Sequence, residues 1–163
     1  VFGGTKNGLM GVEAVLMFNN NPEAGDSRRD VLRQQAWELE LRRKRGAHLF
    51  SKHRYLAAQM DAYLTDDLWW HLAKDANAAC ARLAQGLTAR GVRVLNDARA
   101  NMIFFAAPAR THDQLKAAGA VYGGYGPLEA DGDLLVGRLV CDWSCADAAI
   151  DSFLEALPSK AHH

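Results

Sequence analysis

The sequence predicts a mixed α/β chain whose second half is a compact α+β unit. Three observations carry that expectation. Apolar residues keep helical spacing from Leu68 to Leu87, the period shortens beyond Gly91, and the last stretch returns to helical spacing behind a polar start.

Gly11 to Phe18 (GVEAVLMF) is a short apolar run closed by Asn19-Asn20-Asn21-Pro22, which predicts a buried strand and a turn; its length suits a strand better than a helix. From Asp30 the positions Val31, Leu32, Ala36 and Leu39 take helical spacing. Arg42, Arg43, Lys44 and Arg45 fill the last turns, where cations oppose the negative end of the helix dipole, and Gly46 is the expected stop. A second helix carries Tyr55, Leu56, Gln59, Met60, Tyr63 and Leu64.

The longest helix is expected after Thr65 as N-cap, with Asp66 and Asp67 in its first turn. Its stripe of Leu68, Leu72, Ala76, Ala79, Leu83 and Leu87 advances in steps of four, four, three, four and four, and Gly91 ends it. Val92 to Leu95 and Asn101 to Phe105 then read as strands, the second apolar enough to be central. Thr111 to Ala118 fits a short helix closed by Gly119. Val121-Tyr122 opens a strand, Gly123 to Gly126 is flexible, and Asp131-Gly132 is a hairpin turn into Leu134 to Cys141. The final helix has a capping-box start at Ser144-Cys145-Ala146-Asp147, with Ile150, Phe153, Leu154 and Leu157 on one face. The domain boundary is expected near Arg90-Gly91, dividing the chain into 1–90 and 91–160.

The 163 residues are 49% hydrophobic and 23% charged, a globular balance that argues against disorder and fibrous repeats. With 19 basic against 19 acidic residues the net charge is zero, which removes the long-range attraction expected of a nucleic-acid or membrane-surface binder. No apolar stretch approaches the ~20 residues of a bilayer span, and no signal peptide opens the chain. Three cysteines, Cys80, Cys141 and Cys145, form no regular framework, so a reducing, cytoplasmic setting is expected. An opening at Val1 followed by a glycine-rich segment predicts a fragment of a longer protein. The tail Ala161-His162-His163 is given no function.

Lys6 stands out because Gly3-Gly4-Thr5 and Asn7-Gly8 flank it with minimal bulk, so a planar cofactor could approach the backbone closely. A partly desolvated lysine there would be biased toward the neutral nucleophile that forms a Schiff base with pyridoxal 5'-phosphate, and Thr5 could orient a phosphate. A solvated lysine on a glycine-rich hairpin fits the same spacing. Neither the phosphate-loop pattern G-x-x-x-x-G-K-[ST] nor the dinucleotide fingerprint G-x-G-x-x-G is present.

Three segments together resemble the low-specificity L-threonine aldolases: FGGTKNG at Phe2–Gly8, RKRGAHLFSKHRYLAAQM at Arg43–Met60, and RLVCDWS at Arg138–Ser144. The resemblance runs the whole chain in order, over the second half of that family only. It implies an α/β parent of the aspartate-aminotransferase type (pyridoxal-phosphate fold type I), with 1–90 as the end of the cofactor-binding large domain and 91–160 as an α+β small domain. It makes Lys6 the residue that joins pyridoxal 5'-phosphate and Arg138 the holder of the substrate α-carboxylate. The physics agrees for Arg138, since a planar guanidinium grips a carboxylate through two parallel hydrogen bonds. The family commonly has Ser where this chain has Val1, which leaves the fine geometry of the lysine turn open.

Arg42 to Arg54 holds six Lys or Arg, with His48 and His53 and no acid. Alone it could be a nucleic-acid patch, but aromatic interleaving is lacking and Glu38 and Glu40 lie just upstream. The resemblance places this segment at a subunit interface near a neighbouring cofactor, with Lys52 and Arg54 as candidates to face its phosphate. Cys141 and Cys145 lack the companions of a metal site, so no metal is expected. His48, His53, His71 and His112 are scattered and form no triad; Trp69 suits core or interface; Tyr122 to Tyr125 could border a substrate entrance or form a simple turn.

The resemblance therefore implies part of a lyase that cleaves β-hydroxy-α-amino acids, threonine-like, to glycine and an aldehyde. The full enzyme would be a homo-oligomer with sites near subunit interfaces, without nucleic-acid or membrane partners. The 163-residue chain alone is expected to be inactive. Two alternatives stay open: a non-catalytic folding or dimerising module derived from such an enzyme, and a related pyridoxal-phosphate lyase for another amino acid.

Overall fold

The structure, a computed structural model, describes residues 1–18, 25–129 and 131–158. The turn expected at Asn19-Asn20-Asn21-Pro22 and the tail Ala161-His162-His163 lie outside the described residues. The chain forms two compact units, Val1–Trp69 and Trp70–His163.

In the first unit, β1 (Phe2–Gly3) and β2 (Glu13–Ala14) pair antiparallel, with Phe2 opposite Ala14 and Gly3 opposite Glu13. The strand expected over 11–18 is thus two residues long. Val15, Leu16, Met17 and Phe18 stay exposed, because among the described residues only β1 pairs with this run and β1 ends at Gly3. Two helices follow, α1 (Gly25–Arg45) and α2 (His53–Leu64). The basic last turn of α1 is as expected, but its left-handed closing residue is Ala47 (φ 58°) rather than Gly46. His48 N–H reaches back to the Arg43 carbonyl at 3.0 Å and closes the helix end.

Thr65 does not cap the long helix. Its hydroxyl donates to the Asp61 carbonyl at 2.8 Å, so it finishes α2, while Asp66 and Asp67 adopt left-handed backbone (φ 51° and 56°). The long helix, α3 (Leu68–Ala89), begins only after that kink. Its C-terminus follows the expectation: Gly91 is left-handed (φ 79°) and Val92 N–H bonds the Leu87 carbonyl at 3.0 Å.

The second unit is a four-stranded antiparallel sheet in the order β3-β4-β6-β5. Its strands are β3 (Arg93–Val94), β4 (Met102–Pro108), β5 (Gly123–Leu128) and β6 (Asp131–Val140), with α4 (Ala109–Ala117) and α5 (Asp147–Glu155). β4 is central, as its composition predicts. Period-two alternation sends Ile103, Phe105 and Ala107 of β4 and Leu139 of β6 into the core with Leu83 and Leu87 of α3, Leu115 of α4, and Ile150 and Leu154 of α5. Cys80, Leu83 and Leu87 of α3 belong to this core, and the division between units falls at Trp69/Trp70, inside the long helix.

Three local expectations are corrected. Gly123 to Gly126 is not a loop but the start of β5, held by pairing of Gly123 with Arg138 and Gly124 with Gly137. The hairpin closes with Leu128 opposite Asp131, so Asp131-Gly132 lies inside β6 rather than forming the turn. The capping box of α5 does not form: Ala146 is the N-cap, and Ser144 turns back to the Asp142 carboxylate through its N–H and its hydroxyl, both at 2.8 Å. The Asp142 side chain competes successfully for the serine.

Cys80 and Cys141 are core residues, and burial pushes the Cys141 thiol up to about 12. Among the described residues no cluster of His, Cys, Asp and Glu is arranged to hold a metal, and no helix is long and apolar enough to cross a membrane.

Tyr122 gives the fold a measurable alkaline limit. Burial, with a smaller contribution from the Asp113 charge, pushes its phenol from 10.0 up to about 12. The unfolded chain then sheds this proton before the folded one does, so the stabilisation is complete below about pH 10 and is lost as pH rises toward 12. Tyr122→Phe should remove that loss, and urea denaturation at pH 9 and pH 11 checks it as a smaller pH-dependent drop in the variant.

Candidate functional site

Hydrogen bonds from several directions hold the turn that carries Lys6. Gly4 N–H bonds the Val12 carbonyl at 3.2 Å, and the Gly4 carbonyl accepts from Asn7 and Leu9 N–H, each at 3.0 Å. The Asn7 side-chain amide donates to the Tyr63 hydroxyl and, at 3.0 Å, to the Trp69 carbonyl. Gly4 is buried where the chain is tightest: a Cβ there would stand 2.3 Å from Leu9 Cδ1. Gly8 takes φ 108°, which favours glycine. Phe2 anchors the strand before the turn, 5.8 Å from the Tyr63 ring and 5.7 Å from the Trp69 ring. Trp69 is thus an aromatic support of this turn. Lys6 itself is exposed at the tip.

Thr5 is engaged. Its hydroxyl and its N–H, the latter at 3.3 Å, donate to the Glu13 carboxylate and hold that carboxyl below its usual range, with a smaller contribution from the Lys6 charge. An acid therefore stands where the sequence reading set a phosphate. Glu13 reaches Thr5 because the hairpin register puts it opposite Gly3.

The basic segment is mostly neutralised by its own helix. Arg42 pairs with Glu38 at 2.8 Å, Arg43 and Lys44 with Glu40 at 2.9 and 3.6 Å, and Arg45 reaches Glu38 at 4.0 Å. The first three are exposed or half-exposed i,i+3 and i,i+4 pairs and the last spans two helical turns; each is worth only a few tenths of a kcal/mol, so they redistribute charge more than they stabilise. Lys52 and Arg54, beside the start of α2, stand apart from this network. The Arg54 guanidinium lies 4.9 Å from the centroid of the Tyr55 ring and donates to the Tyr55 hydroxyl at 3.2 Å.

A groove of about 1220 Å³ runs along the first unit between β2, α1 and α2. Val12, Val15, Leu39, Leu56 and Met60 make its apolar wall, with Glu13, Arg43 and His53 among its charged groups. Lys6, Thr5, Lys52 and Arg54 do not line it.

Arg138 belongs to the second unit. β6 sets it half-buried on the face of the sheet opposite the core, across from Phe104 on β4 and Gly123 on β5. The ion pairs of this unit go to Arg82 and Arg99, which leaves Arg138 without an acidic partner among the described residues. Sequence reasoning missed two features beside it. Phe104 and Tyr125 flank the arginine, and the available signal was the single position each occupies on the outer face of its strand. His112, counted among scattered histidines, is buried and bonded on both ring nitrogens, to the Tyr122 hydroxyl at 2.9 Å and the Leu135 carbonyl at 3.0 Å.

No protein-family model matches the chain. Among curated proteins it is 37% identical over 120 residues to a low specificity L-threonine aldolase of Pseudomonas aeruginosa, covering 72% of this chain and 31% of that protein. It is 30% identical over 151 residues to a low specificity L-threonine aldolase of a Pseudomonas species, covering 91% of this chain and 38% of that protein. The chain thus spans about a third of the length of the curated relatives it matches. Among solved structures, a threonine aldolase of Leishmania major superposes with a TM-score of 0.57 at 23% identity, over 61% of this chain and 28% of that one. The first two likenesses bear out the resemblance to low-specificity L-threonine aldolases. The third bears out the expected mixed α/β fold, which this chain shares with part of that structure.

Proposed function

We propose that this chain, a relative of the low-specificity L-threonine aldolases, supplies the cofactor-joining lysine and the carboxylate-holding arginine of a lyase that splits β-hydroxy-α-amino acids into glycine and an aldehyde. The held turn at Lys6 carries this reading. Six hydrogen bonds and two ring contacts fix the backbone around one exposed amine, which is the arrangement an imine-forming lysine needs and more than a solvated lysine requires. The donor set fits pyridoxal 5'-phosphate at that one point: an accessible primary amine between small residues that leave its approach open.

Once bound, the cofactor supplies an electron sink for the pair released when the Cα–Cβ bond breaks. The chain's own residues do the rest of the assigned work. Lys6 would hold the cofactor, its exposed primary amine being the group of this turn that can join an aldehyde. Glu13, its carboxyl held low by its Thr5 hydrogen bonds, steadies the hairpin beneath the lysine. Arg138 holds the amino acid by its carboxylate and thereby orients the bond to be broken. Lys52 and Arg54 are assigned to anion contacts at an interface between copies of the full enzyme. The exposed Val31, Trp37 and Leu41 of α1 support assembly into oligomers, and the pairing of Glu38 and Glu40 with the neighbouring arginines and lysine speaks against nucleic acid.

The reading is tested by incubating the chain with pyridoxal 5'-phosphate, reducing with borohydride and mapping the modified peptides. The expected result is preferential labelling of Lys6, lost in Lys6→Ala. Labelling spread evenly over Lys44, Lys52, Lys74 and Lys116 would instead favour a non-catalytic module.

A further inference from the structure

The open face of the second unit's sheet holds Arg138 in an unusual setting. Its guanidinium carbon lies 5.4 Å from the centroid of the Tyr125 ring, within the distance at which the negative face of a ring attracts a cation. The Tyr125 ring meets Phe104 edge-on, with centroids 5.7 Å apart and planes at 66°, so the ring is itself supported. Tyr125 is 54% exposed, so these contacts are not a by-product of core packing. On the neighbouring strand, a Cβ at Gly123 would stand 3.9 Å from Nη2 and 4.0 Å from Nε of Arg138. Glycine therefore leaves uncovered the Nε–Nη2 edge, where two parallel N–H groups pair with the two oxygens of a carboxylate.

We propose that Tyr125 is the positioning residue for Arg138, holding the guanidinium by its face so that the Nε–Nη2 edge stays available to a small singly charged carboxylate, with Gly123 keeping the approach open. This rests on the reading of Arg138 as the carboxylate anchor. An arginine loses appreciable side-chain freedom when it binds, and a ring that restricts it beforehand lowers that cost. A ring that takes the face of the guanidinium leaves its edge for the carboxylate, so holding and binding need not compete.

The test is nitrogen-15 NMR of the arginine Nε–H groups in the 163-residue chain, with the Arg138 signal identified by its disappearance in Arg138→Lys. The steady-state heteronuclear NOE reads the order of the side chain. Titration with sodium acetate against sodium chloride of equal ionic strength reads carboxylate binding. The unsubstituted chain is expected to show an ordered signal that moves with acetate and not with chloride. Tyr125→Leu should lose the order and weaken acetate binding roughly two- to fivefold. Tyr125→Phe, which keeps the ring face, should retain both, a rescue that a merely structural role of the hydroxyl would not give. Gly123→Val should keep the order and weaken the acetate response. An acetate response that is the same in Tyr125→Leu overturns the positioning role while the anchor stands, and an unchanged response in Gly123→Val overturns the open approach. Absence of an acetate-specific shift in the unsubstituted chain overturns the anchor, and the proposal with it.

Discussion

A Phe105→Ala chain is expected to lose about 3–5 kcal/mol of stability, and a second substitution, Gly137→Ala, should return part of it. Phe105 is fully buried in the centre of β4, stacked on His112 with centroids 5.1 Å apart and planes at 27°, and 5.6 Å from the Tyr122 ring. Its ring occupies the space that any side chain at Gly137 would need. A Cβ there would lie 2.5 Å from Phe105 Cε1, 2.7 Å from Cζ and 3.0 Å from His112 Cε1. Gly137→Ala alone is therefore overpacked and should cost about 1–3 kcal/mol. With the ring removed, the new methyl enters the vacated volume, and the two changes should fall short of additivity by about 0.5–3 kcal/mol. Urea denaturation followed by far-ultraviolet circular dichroism measures all four corners of the cycle. Strict additivity would show that the strand and the ring relax independently and that this glycine is not kept free for Phe105.

The same contact shows why some of this fold is legible in sequence and some is not. Helical stripes are local, so α3 and α5 follow their spacing: Leu83, Leu87, Ile150 and Leu154 are buried as their intervals predict. Helix ends are local too, but several groups compete for them. Thr65 turns back to Asp61 and Ser144 to Asp142, and in each case a nearer acceptor wins over the expected cap. Strand partners are not local at all. The run from Gly11 to Phe18 reads as a buried strand, yet burial needs neighbours that its apolar pattern does not name.

The candidate site divides along the same line. Lys6 is visible because the small residues that shape its turn adjoin it in the chain. The engagement of Thr5 by Glu13 appears only once Gly3 and Glu13 are in register, and the grouping of Arg138 with Phe104, Gly123 and Tyr125 only once three strands are aligned. Arg138 could be singled out beforehand through the resemblance of its own strand. The residues that hold it could not, because they are 13 to 34 positions away and each contributes a single position to that face of the sheet.

His112→Leu is expected to cost about 2–5 kcal/mol, well beyond the effect of Tyr122→Phe, because it removes both hydrogen bonds of a buried side chain where the tyrosine variant removes one. The hydrogen bonds assign the tautomer. The Leu135 carbonyl can only accept, so His112 Nε2 carries the proton and donates to it at 3.0 Å, which leaves Nδ1 to accept from the Tyr122 hydroxyl at 2.9 Å. Leu135 lies opposite Ala107 on β4 and Pro127 on β5, and the pairing of Asn101 with Cys141 sets the alternation that turns its carbonyl toward β4, so the histidine is a side-chain donor added beside the ladder. A histidine on α4 thus gives β6 a side-chain donor and ties the start of β5 in place through Tyr122. Leucine fills a similar volume but can do neither. Tyr122→Phe removes only the Nδ1 partner, and the double variant His112→Leu/Tyr122→Phe should be less destabilised than the sum of the two, because the orphaned hydroxyl is then gone as well. Urea denaturation of the three variants measures this. A His112→Leu loss no larger than that of Tyr122→Phe would mean that the Leu135 carbonyl does not depend on the histidine.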